Sequence, residues 1–173
     1  MPNNTNLLVS ASGATTGALL GAGTNQQTAV RDNDGATGYI YAPGSVGGAR
    51  VSSFLVEGNM FPPHEKINLV TISAYVAADT GTVLGMQVIL GVRIGGTTYS
   101  GTTQAVSSTT YTLFTSSFLL NPATSAAWTK YELDTLEVVV SLDGGAGTAQ
   151  CRCSQLYAAV SFEAQTDALL FGS

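Results

Sequence analysis

Apolar and polar residues alternate along much of the chain. Val70, Ile72, Ala74 and Val76 stand at every second position against Thr71, Ser73, Tyr75 and Ala77. That is the period of a strand with one face in a core and the other nearer water. Met86, Val88, Leu90, Val92 and Ile94 repeat the pattern, and near the end Leu156, Ala158, Val160 and Phe162 oppose Gln155, Tyr157, Ala159 and Ser161. Strands are predicted at the YIYA run from Tyr39, then over 50–57, 69–77, 86–94, 111–120, 137–142 and 151–163, with turn clusters separating nearly all of them. A one-residue slip would carry each apolar set to the wrong face, so burial specifies the register. The alternation predicts Val70, Ile72, Val88, Leu90, Val92, Val140, Leu156 and Val160 as core residues.

One stretch breaks the period: NPATSAAWTKYELDTLEVVV, from Asn121 to Val140, which holds the only Trp. Asn121-Pro122 is a turn signal. Thr129 followed by Glu132 fits a capping box, in which the hydroxyl accepts from the third helical N–H and the carboxylate reaches back to the cap amide. A short helical turn over 129–136 is predicted, feeding into the β-branched run Val138-Val139-Val140. With six or more alternating strands and no long amphipathic helix, the fold class is all-β, an antiparallel two-sheet sandwich of jelly-roll type.

Residues 1–28 lack this periodicity and are rich in Gly, Ala, Ser, Thr and Asn, so they read as an arm or extended lead-in. The jelly-roll domain is placed at 29–164 and a tail at 165–173. Each end carries a compact apolar piece, Leu7, Leu8 and Val9 in the first and Leu169, Leu170 and Phe171 in the second. Exposed apolar pieces invite aggregation, so these six residues are the candidate contacts to a partner.

Composition changes the picture in one respect. The 173 residues suffice for one domain with its own core, yet only 10% are charged, against about 25% in an ordinary globular domain. A surface that poor in charge suggests that partners cover part of it. The net charge is −5 and the six Lys and Arg are scattered, which disfavours nucleic acid. No apolar run has the length of a membrane span, and the N-terminus lacks the basic start and apolar stretch of a signal peptide. A protein made and kept in a cytoplasm is expected.

Little of the sequence points to chemistry. Cys151 and Cys153 share one face of a strand, which suits two free thiols better than a mutual disulfide, and with one His and no second Cys pair no metal site is expected. For His64, in FPPHEK, nothing local supplies a nucleophile or paired acid held against the ring, as a general base would need. In RDNDG, from Arg31 to Gly35, the twelfth position counted from Asp32 is Pro43, where a Ca²⁺ loop needs a bidentate Glu. GALLGAG, from Gly17 to Gly23, lacks the Lys-Ser/Thr of a phosphate loop. No catalytic residue, metal or cofactor is assigned, and no enzyme is expected. Tyr39, Tyr41, Tyr99, Tyr111 and Trp128 leave a sugar-stacking platform as an alternative.

RDNDGATGYIY, VTISAYVAADTG, VILGVRIGG, TLFTSSFLLNP, the NPATSAAWT turn and the closing CRCSQLYAAVSFE fall in an order that resembles a set of bacteriophage virion proteins with a jelly-roll domain. The likeness spans about residues 31–163. It departs at Ser125, where that family usually has Gly, and at Cys151 and Cys153, where it tends to have Val. The resemblance implies a structural component of a phage particle, assembled in the host bacterial cytoplasm, and no reaction. A single sandwich without a coiled-coil shaft fits a capsid decoration (cement) protein on the major capsid protein or another virion protein. A homotrimer is expected, because strand faces of Thr, Ser, Tyr and Ala discourage association poorly. The alternative is a tail or fibre module that binds a host-surface glycan. Trp128 and the capped turn are expected to plug one end of the sandwich.

Overall fold

The computed structural model describes residues 3–32, 37–44, 48–58, 65–80 and 85–164. His64, Asp34 and Gly35, and the tail from Gln165 to Ser173 with Leu169, Leu170 and Phe171, lie outside them.

The strands are β1 (Asn3–Thr16), β2 (Leu19–Ala22), β3 (Tyr39–Pro43), β4 (Arg50–Val56), β5 (Glu65–Ala78), β6 (Gln87–Ile94), β7 (Thr97–Ser100), β8 (Gln104–Ala105), β9 (Thr112–Phe118), β10 (Glu137–Asp143) and β11 (Gln150–Ala164). Two helical turns, α1 (Gln26–Ala29) and α2 (Lys130–Asp134), interrupt them. The first sheet runs β3-β11-β5-β9, with β2 beyond β3; the second runs β4-β10-β6-β7, with β8 also on β6. Every pairing is antiparallel. From β3 to β6 the chain changes sheet at each strand, and from β9 to β11 it does so again. This is the double Greek key of a jelly roll.

The register is the one the alternation predicts. In the first sheet Leu156 lies opposite Ala74, Ala158 opposite Ile72 and Val160 opposite Val70. In the second, Val138 lies between Phe54 and Val92, and Val140 opposite Leu90. All these side chains are buried in one core between the sheets, and so is Val88, which completes the predicted core set. Each fully buried Val, Leu or Phe contributes about 1.5–3 kcal/mol.

The lead-in assigned to residues 1–28 is an integral part of the fold. Asn3–Leu8 pairs with β11, the strand then passes to the other sheet, and Val9–Thr16 pairs with β4. Strands that switch sheets in this way make the corners of a sandwich. Leu7 and Val9 are buried in the core, so neither is available to a partner; Leu8 is half-buried on the outside, opposite Tyr157. The glycines misled the reading because they look flexible and here serve close approach. A Cβ on Gly13 would come within 2.4 Å of Glu137 Oε2, and one on Gly17 within 2.6 Å of the Val51 carbonyl oxygen. The segment that follows is also tied down. α1 has a capping box between Asn25 and Thr28, the Gln26 side chain donates to the Ala18 carbonyl (2.5 Å), and Leu156 N–H donates to the Val30 carbonyl (2.9 Å).

The second helical turn forms where the sequence places it. Thr129 Oγ1 accepts from Glu132 N–H (3.3 Å), while Glu132 Oε2 accepts from Thr129 N–H (2.7 Å). Leu133 and Leu136 anchor the turn in the core. Trp128 is buried, and its indole N–H donates to the Phe118 carbonyl (3.0 Å), so the ring closes the gap where the chain leaves β9 for the second sheet. In the tight turn before it, Ser125 has φ 59° and is the one described non-glycine residue at positive φ.

Candidate functional site

The two sheets turn different outer faces to their surroundings. On the first, the outward residues of β9, β5, β11 and β1 form rows set by the pairing: Leu113-Tyr75-Gln155, Thr115-Ser73-Tyr157-Leu8 and Ser117-Thr71-Ala159-Asn6. These rows contain no charge. Thr71 and Ser117 share a hydrogen bond between hydroxyls (2.9 Å). Leu113 is 44% exposed, and just past β9 Leu119 and Leu120 are 69% and 46% exposed. Charges stand at the margins, with Glu163 opposite Lys66 at one end and Arg152 paired to Asp79 (3.2 Å) at the other. β9 is the outer strand of this sheet, and part of its free edge is blunted where the Gln104 side chain donates to the Thr115 carbonyl (3.0 Å). Capping an edge carbonyl this way discourages strand addition along the middle of β9.

The second sheet's outer face is clasped by its own chain. Between Ser12 and Thr16 the pairing of β1 with β4 is interrupted. There the Ala14 N–H donates to Glu137 Oε2 (2.9 Å), and the Thr15 N–H to Ser53 Oγ (3.1 Å). The Ser53 hydroxyl donates to the same carboxylate oxygen (2.5 Å), and Arg93 Nε lies 4.0 Å from it. Ser53, Glu137 and Arg93 are the closest thing to a reactive grouping among the described residues. The carboxylate oxygen already accepts two hydrogen bonds, and Gly13 lies directly over it, so the group works as a fastening for β1.

The five aromatic residues do not all gather in one place. Trp128 is inside and Tyr99 packs against the core. Tyr39 and Tyr41 lie side by side with ring centroids 6.3 Å apart, tilted at 56°. The Arg152 guanidinium covers the Tyr39 ring at 4.6 Å and also donates to the Gln150 side chain (3.1 Å). Sugar stacking needs an open ring face, and on Tyr39 the guanidinium occupies one.

Cys151 and Cys153 are free and buried. Burial, with the charge of Asp143 adding to it, pushes the Cys151 thiol up to about 12; burial, then the neighbouring Cys151, pushes Cys153 up as well. Such thiols are inert at neutral pH. Among the described residues no group of three or more His, Cys, Asp or Glu is placed to hold a metal ion, and no helix is long and apolar enough to cross a membrane. Arg31 of the RDNDG run forms an ion pair with Glu57.

Of the six candidate contact residues, the structure places Leu7 and Val9 in the core and Leu8 on the uncharged face. Leu113, Leu119 and Leu120, which the sequence did not single out, are exposed on or beside this face. The signal was present in TLFTSSFLLNP, where two leucines follow the last inward aromatic and precede Asn-Pro.

No protein-family model matches the chain, and no curated protein sequence matches it. Solved structures with a similar chain path include the CBM36-1 domain of a multidomain xylanase from the hindgut metagenome of Trinervitermes trinervoides, at 11% identity and TM-score 0.45, covering 91% of this chain and 96% of that one. A carbohydrate-binding module of Cellvibrio mixtus lichenase 5A in complex with cellotriose is similar at 13% identity and TM-score 0.45, covering 90% and 95%. A protein of infectious bursal disease virus, Gt strain, is similar at 12% identity and TM-score 0.37, covering 92% of this chain and 32% of that one. Likenesses this distant assign no function, and none places the chain among phage virion proteins.

Proposed function

We propose that the protein is a non-enzymatic structural component of a phage particle, a capsid decoration protein that binds the major capsid protein. The observation that carries this reading is the contrast between the two outer faces. One is fastened by the chain's own β1, whereas the other is an uncharged surface of Thr, Ser, Tyr, Ala and Leu with exposed leucines at its rim. Low charge and small side chains suit close packing against another protein, since no ion has to be desolvated. The resemblance of the sequence motifs, in order and spacing, to phage virion proteins supports the same reading.

The test uses purified particles. Ala159→Glu and Thr115→Lys place charge on the open face at half-buried and exposed positions, where the fold tolerates it. Both variants should fold, as judged by circular dichroism, and lose occupancy on particles, where the intact chain should number in the hundreds of copies. Full occupancy of both variants would sink the proposal. The second reading, a tail or fibre module that binds a glycan, rests on Tyr39 and Tyr41 beside Arg152, Gln150 and Asp79; it predicts a handful of copies per particle and glycan binding abolished by Tyr41→Ala.

A further inference from the structure

Two tyrosines stand in the middle of the open face. Tyr75 on β5 lies between Leu113 of β9 and Gln155 of β11, and Tyr157 on β11 lies between Ser73 of β5 and Leu8 of β1. They sit on neighbouring strands one row apart, and both are half-buried. Among the described residues neither phenolic hydroxyl has a hydrogen-bond partner. Gln155 is held in place by its bond to the Arg31 carbonyl (3.3 Å). Three pairs of opposite charge border the face: Arg31 with Glu57, whose N–H donates to the Leu8 carbonyl, Arg152 with Asp79, and Lys66 opposite Glu163.

We propose that Tyr75 and Tyr157 are the anchors by which the open face grips its partner, an uncharged protein surface that offers backbone carbonyls to the two phenolic hydroxyls. The inference rests on the decoration reading and names the chemistry of the surface which that reading requires. In protein interfaces a few central aromatic side chains carry most of the affinity, while the small residues around them add little energy and exclude water. Here the two rings hold the centre, and Thr71, Thr115, Ser117 and Ala159 surround them. Charge selects the occupant. A partner's ion placed over the rows would lose its water and meet no counter-ion, because the charges at the border are already matched. Size argues against a second copy. Four strands 4.8 Å apart and three rows span roughly 20 Å by 20 Å, about 400 Å². A copy turned face to face would bury about 800 Å² in all, short of the roughly 1,200 Å² at which stable pairs begin. The occupant is a broader surface, one that continues past the rows onto Leu119 and Leu120.

Binding to undecorated particles tests it. Tyr75→Ala and Tyr157→Ala, each checked for cooperative unfolding in urea, should weaken binding about 30-fold or more, the loss that marks an anchor, whereas Thr115→Ala and Asn6→Ala should stay within about 3-fold. Tyr157→Phe keeps the ring and loses only the hydroxyl, so it should fall between the two. A tenfold rise in salt should change the binding of the intact chain by less than about 3-fold, since no exposed charge pairs across the contact. If the tyrosine variants bind like the intact chain while Ala159→Glu does not, the face docks without these anchors, and the inference fails with the decoration reading intact. If Ala159→Glu binds as well, that reading fails and the inference with it. Two further results overturn the proposal. A sedimentation mass of two chains that Tyr75→Ala returns to one makes a second copy the occupant. Retention of the intact chain, but not of Tyr75→Ala, on a neutral polysaccharide such as cellulose makes the tyrosines a sugar platform.

Discussion

The outer faces of the two sheets come from strands with the same alternation, yet they have different fates. In the second sheet Glu137 and Arg93 stand opposite each other where β10 begins and β6 ends, and β1 folds over Glu137 so that Ala14 and Ser53 satisfy the carboxylate. In the first, the outward positions of β5, β9 and β11 carry hydroxyls, Tyr, Ala and Leu, and no segment among the described residues lies across them. Charge on an outer face thus marks where the chain fastens itself, and its absence marks where another molecule is accommodated.

The largest effect that would break this contrast is loss of β1. Deleting residues 1–16 removes Leu7 and Val9 from the core and strips a partner from each sheet. We expect no cooperative thermal transition; a truncated chain that melts like the intact one would restore the reading of this segment as a dispensable arm. Core truncations come next. Leu156→Ala and Phe54→Ala, one from each sheet and both fully buried, should each lower stability by about 3–4 kcal/mol through lost burial and the cavity left behind. Urea midpoints measure this, and a marked asymmetry would show that one sheet is looser than the other.

Glu137→Gln tests the fastening. It weakens hydrogen bonds from Ala14 and Ser53 to a charged acceptor and should cost about 1.5 kcal/mol, whereas Thr71→Ala on the open face should stay within about 0.5 kcal/mol. Equal losses from both would erase the distinction between the faces. The buried thiols sharpen it from the inside. A folded-state pKa raised from 9.0 to about 12 at Cys151 means that the protonated thiol is favoured in the fold. The stability linked to it is complete below pH 9.0 and declines as pH rises toward 12. Thiol labelling should be negligible at pH 8 until denaturant unfolds the chain. The smallest effect is at Ser125. Its φ of 59° is one that Gly adopts at no steric cost, so Ser125→Gly should stabilise by about 0.5 kcal/mol after the added entropy of the unfolded chain is offset, a shift visible in careful urea titrations.

The legible parts of the fold were those with a strong local signal. β5, β6, β10 and β11 announce themselves by alternation, and α2 by Thr129 and Glu132. β7 and β8 were passed over because four and two residues carry too little periodicity. β1 was misread because only Leu7 and Val9 of its length are buried, and the bend between the sheets breaks its period. The same reason explains the candidate contacts: a short apolar piece looks alike whether it fills its own core or reaches for another, and only its partners distinguish the two.

By itself, the sequence determined which face of each long strand enters the core, because burial penalises every register but one. It also determined the capped turn and the poverty of surface charge. The tertiary structure decided that the glycine-rich start of the chain crosses between both sheets, that Trp128 plugs rather than binds, and that the uncharged face is left uncovered by the described chain. The first depends on residues far apart in sequence, such as Gly13 and Glu137, and the plug on Trp128 reaching back across a turn to Phe118. Local periodicity sets what a segment can bury, and only the packing of distant segments sets what remains for another molecule.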